Sequence, residues 1–140
     1  MTVTYGSVDE LLESARGGLE RLDPLEAHAR VGAGAVIVDI RPQWQRELDG
    51  EIPGSIIVER NHLEWRLHPR SGASLSLATE GQTWIVVCTE GYTSSLAASA
   101  LVSLGLPASD IVGGIHGWRA AGLPVVPGAT DVEQRVQPSA

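Results

Sequence analysis

The sequence predicts an α/β domain with a central parallel sheet and helices on both faces. Short apolar runs rich in Val and Ile, such as residues 35–39 and 84–87, are typical of strands that are covered on both faces. Segments with apolar residues at helical spacing, such as residues 93–104, alternate with these runs. Because strands and helices alternate, the strands are expected to be parallel and joined by right-handed crossovers.

Composition limits the class of protein. The chain has 140 residues, enough for one domain, and 43% of them are hydrophobic. Its net charge of -7 argues against binding to nucleic acid or to an anionic membrane surface. The single cysteine excludes an internal disulfide, and the start of the chain lacks the features of a signal peptide. No apolar run reaches membrane-spanning length, so a protein of the reducing cytoplasm is expected.

The amino-terminal part of the chain is predicted to form two capped helices. Ser7 followed by Glu10 is a capping box, and apolar residues follow at helical intervals as far as the glycine pair at 17–18. Asp23 begins a second helix, which ends near Gly32.

The first strand, residues 35–39, brings two charged side chains to one edge of the sheet. Asp39 and Arg41 stand at its carboxyl end, where ligands bind in open α/β folds. The same two side chains can instead form a structural ion pair, and the sequence leaves both interpretations open.

A turn-rich segment, residues 47–55, predicts a loop before a short strand at residues 56–58. Residues 60–72 carry three arginines with interleaved apolar residues. Because glutamate dilutes the arginines, a short solvated helix with Trp65 packed inward is favoured over a nucleic-acid surface.

The only cysteine, Cys88, lies between strand 84–87 and a helix that Thr93 or Ser94 could cap. Unpaired N–H groups of the loop and the helix dipole favour an anion at this place. A helix amino terminus is among the environments that lower the pKa of a cysteine below about 8.5 and make it a nucleophile at neutral pH. A lone cysteine at the end of a buried strand can also be an inert core residue.

The carboxyl-terminal part is predicted to contain a brief strand at residues 111–112 and a glycine turn at 113–114. A last helix with His116 and Trp118 follows, and residues 122–124 end it. Of the histidines, His116 alone could approach the cysteine loop. No histidine is paired or clustered with carboxylates as metal ligands are, so no metal site is expected: this applies to His28, His62, His68 and His116.

Four motifs, in the same order along the chain, resemble the rhodanese-like family of sulfurtransferases. They are Asp39-Ile40-Arg41, GEIPGS at residues 50–55, the Cys88 loop, and VGGIHGW at 112–118 with AGLPV at 121–125. The resemblance implies a rhodanese-like domain at residues 23–127, preceded by a helical extension at 1–22 and followed by a loosely attached tail at 128–140.

The resemblance also implies a reaction. Cys88 would take a sulfur atom from a donor such as thiosulfate or mercaptopyruvate, become a persulfide, and pass the sulfur to cyanide, a thiol or a sulfur-carrier protein. No cofactor is expected. The residues implied in substrate binding form the loop after the cysteine: Thr89, Glu90, Gly91, Tyr92, Thr93 and Ser94. The positions implied as structural are Asp39, Arg41, Gly114 and Trp118.

Two departures from the family pattern concern the loop itself. Thr93 stands where many single-domain members have arginine. In this respect the loop resembles that of the two-domain thiosulfate and mercaptopyruvate sulfurtransferases. The absence of this arginine argues against the functions of the related phosphatases and arsenate reductases, which need it to coordinate phosphate. Glu90 opposes the binding of dianionic thiosulfate unless it points to solvent. The departures leave open a second hypothesis, a non-catalytic module that binds a partner through the same edge.

Two further departures lie before the loop. Gln45 stands where the two-domain enzymes have a second substrate-binding arginine, so Arg46 is the candidate to replace it, with Arg66 as an alternative. Glu51 stands where the family usually has histidine, and a change at the rim of little catalytic weight is expected.

Overall fold

The structure, a computed structural model, describes residues 2–128 and 130–132. Along the chain the elements are α1 (Val8–Gly17), β1 (Arg21–Leu22), α2 (Pro24–Gly32), β2 (Val36–Asp39), α3 (Gln43–Asp49), β3 (Ile56–Ile57), a 3-10 turn (Arg60–His62), α4 (Leu63–Leu67), β4 (Trp84–Val87), α5 (Thr93–Ser103), β5 (Ala108–Ile111) and α6 (Gly114–Ala120). No helix in the described part of the chain is long and apolar enough to cross a membrane.

The five strands form one parallel sheet in the order β1-β5-β4-β2-β3. The chain leaves β2 toward β3 on one side and leaves β4 toward β5 on the other side. The neighbouring strands β2 and β4 therefore form a topological switch point, where a crevice opens beyond their carboxyl ends. The cysteine loop begins at this crevice.

Side chains alternate between the two faces of the sheet. Ile85 and Val87 of β4 belong to one core cluster, and Trp84 and Val86 belong to the other. Helices α2 and α6 cover the first face, mainly through Ala27, Ile115 and Trp118. Helices α4 and α5 cover the second face, mainly through Leu63, Leu67 and Leu101. The predicted fold class, a central parallel sheet with helices on both faces, is confirmed.

Both predicted amino-terminal caps are present. The side chains of Ser7 and Asp23 each accept the N–H of the residue three positions later, at 3.1 and 2.8 Å. The segment predicted as a helical extension also contributes a strand, because Leu22 of β1 pairs with Ile111 of β5 at the edge of the sheet. The sheet thus begins two residues before the predicted start of the domain at residue 23.

Two local predictions are wrong because the apolar residues do not face the core as expected. Trp65 is 59% exposed, since Leu63 and Leu67, one turn apart, occupy the inward face of α4. The segment predicted as a loop from residue 47 is helical up to Asp49. Helix α3 has no inward apolar stripe, because its apolar residues Trp44 and Leu48 are exposed.

The last strand also begins earlier than predicted. Strand β5 covers Ala108–Ile111, whereas Val112 is exposed beyond its end. The buried polar residues Ser109 and Asp110 interrupt the apolar pattern that predicts a strand, so the sequence pattern reveals only its last residue.

The glycine turn before α6 allows this helix to lie directly against the cysteine loop. The N–H groups of Ile115 and His116 donate to the carbonyls of Cys88 and Thr89 at 2.9 and 3.2 Å. Gly114 has a φ of 59°, and a Cβ atom at this residue would lie 2.5 Å from both carbonyl oxygens. Only glycine therefore permits this close packing.

The carboxyl-terminal segment is attached to α3 through a buried ion pair. Arg46 donates to Glu51 and to the carbonyl of Thr130, each at 2.6 Å, and the Thr130 hydroxyl donates to Glu51 at 2.7 Å. Glu51 and Val126 also exchange two backbone hydrogen bonds. Thr130 thus ties the described part of the predicted tail to the domain, whereas residues 133–140 lie outside the described residues.

Glu51 is a buried residue rather than a change at the rim, since its exposed fraction is only 3%. Burial alone would raise the pKa of its carboxyl group. The hydrogen bonds from Thr130 and Arg46 and the attraction of the guanidinium outweigh this effect, so the pKa is below its ordinary value.

Replacement of Glu51 should destabilise the protein in a pH-dependent way. A carboxylate with a lowered pKa contributes stability above its ordinary pKa, and that contribution is lost as pH falls through the folded value. We expect Glu51→Gln to lower the free energy of unfolding by about 2 kcal/mol at neutral pH and by less in acid. Urea denaturation at both pH values measures this. Glu80→Gln, which breaks an exposed pair with Arg70, should cost less than about 0.5 kcal/mol; equal losses for the two variants would contradict the interpretation.

Replacement of Gly114 should destabilise the packing of α6 on the loop. Gly114→Ala adds both backbone strain and a clash with two carbonyl oxygens, so we expect a loss of more than about 3 kcal/mol in the free energy of unfolding. Gly122→Ala is the matched control, because Gly122 has a φ of 79° but no atom near the added Cβ. It should cost about 1 kcal/mol. Similar losses in the free energy of unfolding for the two variants would show that the structure accommodates the added Cβ at residue 114 without a clash.

Candidate active site at the Cys88 loop

The sulfur of Cys88 lies at the carboxyl end of β4 and accepts two backbone hydrogen bonds. Gly91 N–H donates to Sγ at 3.2 Å and Ser94 N–H donates at 3.4 Å. The sulfur thus accepts a hydrogen bond from an N–H group in the first turn of α5. In other helices a capping side-chain oxygen accepts such a hydrogen bond. Together with the partial positive charge of the helix end, the two donors favour negative charge on the sulfur.

The predicted side-chain caps of α5 are absent. Tyr92 precedes the helix and makes no capping hydrogen bond with its side chain. The Ser94 hydroxyl instead donates to buried Asp110 at 2.8 Å, and the Ser95 hydroxyl donates to the same carboxylate at 2.9 Å. The two serines therefore fasten the first turn of α5 to β5, and the capping position is left to the sulfur.

Cys88 borders a cavity of about 580 Å³ at the switch point between β2 and β4. Four of the predicted substrate-binding residues line this cavity: Thr89, Glu90, Tyr92 and Thr93. The other two loop residues, Gly91 and Ser94, are buried and contribute the N–H groups on the sulfur. Another cavity of about 590 Å³ lies between α4 and α5, but Cys88 does not border it.

Few charged side chains line the Cys88 cavity. Glu90 is exposed at its rim. Arg60 also lines the cavity; it pairs with Glu64 at 2.8 Å and keeps 38% of its side chain exposed. Thr89 donates from its hydroxyl to Gln45 at 3.0 Å, so the amide at this position contacts the loop. The cavity thus presents one arginine and one carboxylate of the described chain to a ligand, besides buried Arg41.

Arg60 was not among the predicted site residues, although the sequence contains a signal for it. It follows β3, which pairs with β2 in the same parallel sheet. Since the carboxyl ends of parallel strands meet at one edge, a side chain just beyond β3 is expected near the crevice. The two predicted arginines do not line the cavity: Arg46 is buried against Glu51, and Arg66 is buried in α4, where it donates to the carbonyl of Ala73.

Asp39 and Arg41 form a buried ion pair beside the crevice. The Arg41 guanidinium donates two hydrogen bonds to the Asp39 carboxylate, at 3.0 and 2.6 Å, and a third to the carbonyl of Gly50 at 2.7 Å. These contacts are those of a buried ion pair, which the structural interpretation expects, and a part of Arg41 in ligand binding stays a prediction. The pair fixes the end of β2, and Arg41 also borders the cavity.

The remaining motif residues, Trp118 and His116, lie in helix α6, which packs against the cysteine loop. Trp118 is buried under the sheet, and its indole N–H donates to the carbonyl of Pro124 at 2.8 Å. His116 contacts the loop through its backbone N–H, and its imidazole lies 3.6 Å from a carboxylate oxygen of Asp49. Within residues 2–128 and 130–132, no cluster of three or more His, Cys, Asp or Glu could hold a metal ion.

Three known proteins illustrate what this chain is similar to in sequence or in fold. Thiosulfate sulfurtransferase GlpE of Stutzerimonas stutzeri is 37% identical over 101 residues, which are 71% of this chain and 84% of that protein. Adenylyltransferase and sulfurtransferase UBA4 of Yarrowia lipolytica is 28% identical over 102 residues, 73% of this chain, but the chain spans only 24% of its length. A solved structure from Rhodopseudomonas palustris, of unknown function and described as a possible tyrosine phosphatase, has a TM-score of 0.78 at 34% identity and covers 89% of this chain and 98% of its own.

The family match covers most of the chain. The model of the family described as Rhodanese-like domain matches residues 23–121. This range contains the buried Asp39–Arg41 pair, the Cys88 loop and the glycine turn that packs beneath it. The chain therefore belongs to the rhodanese-like domain family.

Proposed function

We propose that this protein is a sulfurtransferase in which Cys88 carries the transferred sulfur as a persulfide. The observation that carries the proposal is the position of the sulfur, at the edge of a cavity and with two backbone N–H groups directed at it. The similarity to thiosulfate sulfurtransferase GlpE supports the same reaction class. The lone cysteine suits a cytoplasmic location, where a reactive thiol persists without disulfide formation.

The reaction needs no oxidant. The Cys88 thiolate attacks the outer sulfur of thiosulfate, a new S–S bond forms, and sulfite leaves with the electron pair of the broken S–S bond. With mercaptopyruvate the C–S bond breaks, and the leaving pyruvate carbanion takes up a proton. An acceptor such as cyanide then attacks the terminal sulfur, leaves as thiocyanate and restores the thiolate. Dividing the transfer into two displacements makes each step easier.

The loop residues have distinct roles in this proposal. Gly91 N–H and Ser94 N–H stabilise the sulfur anion, while Tyr92 and Thr93 line the space for donor and acceptor. The donor's negative charge meets Arg60 across the cavity. Arg60 thus takes the substrate-binding part for which Arg46 was the candidate from sequence.

The charges at the cavity favour a donor with a single negative charge. Glu90 and Arg60 both line the cavity, and Arg60 is already paired with Glu64. A thiosulfate dianion is repelled by one carboxylate and meets one partly neutralised arginine, so we propose that it is a poorer donor than a monoanion such as mercaptopyruvate.

Phosphoryl transfer is not favoured, although one similar structure is described as a possible tyrosine phosphatase. None of the loop residues 89–94 is an arginine or lysine. A phosphoryl group carries charge on several oxygens, and its recognition depends on a bidentate cation close to the nucleophile. The loop offers only backbone donors and uncharged or acidic side chains.

The first prediction for this function is direct loading of the cysteine. After incubation with mercaptopyruvate or thiosulfate, the reduced protein should gain about 32 Da on Cys88 in intact-mass spectrometry, and added cyanide should release thiocyanate. Cys88→Ser should show neither. Absence of both signals with every donor tested would reject the sulfurtransferase and favour a non-catalytic rhodanese-like module, and full biological function of Cys88→Ser would do the same.

The second prediction concerns donor choice. Glu90→Gln should raise kcat/KM for thiosulfate about three- to tenfold, because one like charge is removed opposite a dianion, and the gain for mercaptopyruvate should be smaller. Arg60→Gln should change both values in the opposite direction. Glu80→Gln and Arg70→Gln, which alter an exposed pair outside the cavity, serve as matched controls. If Glu90→Gln and Glu80→Gln have the same kcat/KM for thiosulfate, Glu90 does not determine the choice of donor.

A further inference from the structure

Two arginines from the beginning of the chain bind the backbone of the Cys88 loop. Arg16 at the end of α1 donates to the carbonyl of Gly91 at 2.7 Å, and Arg21 in β1 donates to the same carbonyl at 3.0 Å. Both arginines precede residue 23, where the family match begins. We call this pair of contacts on one carbonyl oxygen the arginine clamp.

Each arginine of the clamp is held by other contacts. Arg21 donates twice to the fully buried carboxylate of Asp110, at 3.0 and 3.2 Å. Arg16 donates to the Ser95 hydroxyl at 3.0 Å, and its guanidinium lies 5.8 Å from the centre of the Tyr92 ring. Helix α1 also packs along α5. These other contacts orient both guanidinium groups independently of the loop. The clamp can therefore hold the Gly91 carbonyl in one position.

The clamped carbonyl determines where the next N–H group points. The peptide between Gly91 and Tyr92 is planar and trans, so Tyr92 N–H is directed opposite to the Gly91 carbonyl. The carbonyl faces the two arginines, which do not line the cavity, so Tyr92 N–H points away from them. Among the described residues this N–H has no acceptor, whereas Gly91 N–H and Ser94 N–H already donate to the sulfur.

We propose that Arg16 and Arg21 are positioning residues for the transferred sulfur: the clamp holds Tyr92 N–H ready to donate to the terminal sulfur of the Cys88 persulfide. This inference rests on the proposed function. Two cations on the carbonyl polarise the peptide, and the N–H at its other end becomes a stronger donor to an anion. The two guanidinium charges also counter Glu90, which opposes anions at the rim.

A purely structural role for the same contacts makes a different prediction. If Arg16 served only to attach α1 to the domain, its loss would lower stability and leave the preference of Cys88 for anionic reagents unchanged. If the clamp acts on the loop, its loss lowers that preference even in a folded variant. The chain has a single cysteine, so alkylation reports on this site alone.

The test compares Arg16→Gln with Arg16→Lys and with Arg30→Gln. Arg30 is the matched control, because it also forms its ion pairs near the amino terminus, with Glu20 and Glu26, and does not contact the loop. The readout is the rate of Cys88 alkylation by iodoacetate, an anion, divided by the rate with neutral iodoacetamide. We expect this ratio to fall about three- to tenfold in Arg16→Gln, to fall less in Arg16→Lys and to stay at the wild-type value in Arg30→Gln.

Turnover gives the second readout. Loss of a direct anion-binding donor typically costs about a hundredfold or more in kcat, and Arg16 acts through a peptide that Arg21 still holds, so we expect about a tenfold loss of sulfur-transfer kcat in Arg16→Gln. In the persulfide form, the amide proton of Tyr92 should move downfield in the NMR spectrum of the wild type and by less in this variant.

The outcomes separate the two proposals. If the wild type takes no sulfur, the sulfurtransferase proposal fails, while the alkylation ratio still tests the clamp. If sulfur transfer occurs but Arg16→Gln matches Arg30→Gln in ratio and turnover, the clamp is rejected and the function stands. Thermal denaturation shows whether each variant is folded. If Arg16→Gln is unfolded, Arg16→Lys distinguishes the two roles of Arg16. The clamp predicts a partial fall in the ratio of the iodoacetate rate to the iodoacetamide rate, and a purely structural contact predicts no change in this ratio.

Discussion

The hydrogen bonds from Gly91 N–H and Ser94 N–H to the sulfur of Cys88 are the interactions that the rest of the structure supports. Each neighbouring element holds one part of this arrangement. The sheet fixes Cys88 at the end of β4, the serines of α5 hold the first turn against Asp110, and α6 holds the carbonyls of Cys88 and Thr89. Backbone donors that are fixed before an anion arrives need little reorganisation when charge develops, and this makes them effective in catalysis.

The fold and the centre of the site could be predicted because their signals are local. An apolar run that ends in Cys88, followed by a glycine and a helical pattern, is sufficient to place the sulfur at the start of a helix. The capping residues Ser7 and Asp23 were identified for the same reason, since each acts on the residue three positions later. The motif order along the chain added the family, which the match over residues 23–121 confirms.

The contacts that the sequence did not reveal join residues far apart in the chain. Arg46 was a candidate for the substrate because it stands next to Gln45, but it pairs with Glu51, and both side chains contact Thr130, which lies 84 positions after Arg46. Arg16 and Gly91 are separated by 75 positions, so no local pattern connects them. Arg60 could have been found, but only by combining strand order with the rule that parallel strands end at one edge.

The packing of α6 on the loop has a consequence for how members of such a fold can diversify. Because the carbonyls of Cys88 and Thr89 are engaged by the helix beneath, their electronegative oxygens are turned away from the nucleophile and the main chain keeps its shape. The side chains of Glu90 and Thr93, in contrast, are exposed at the cavity and make no hydrogen bond or ion pair with the described residues. Mutation can therefore alter which molecules are accepted while the groups that hold the anion stay intact, so that selectivity and reactivity can evolve separately.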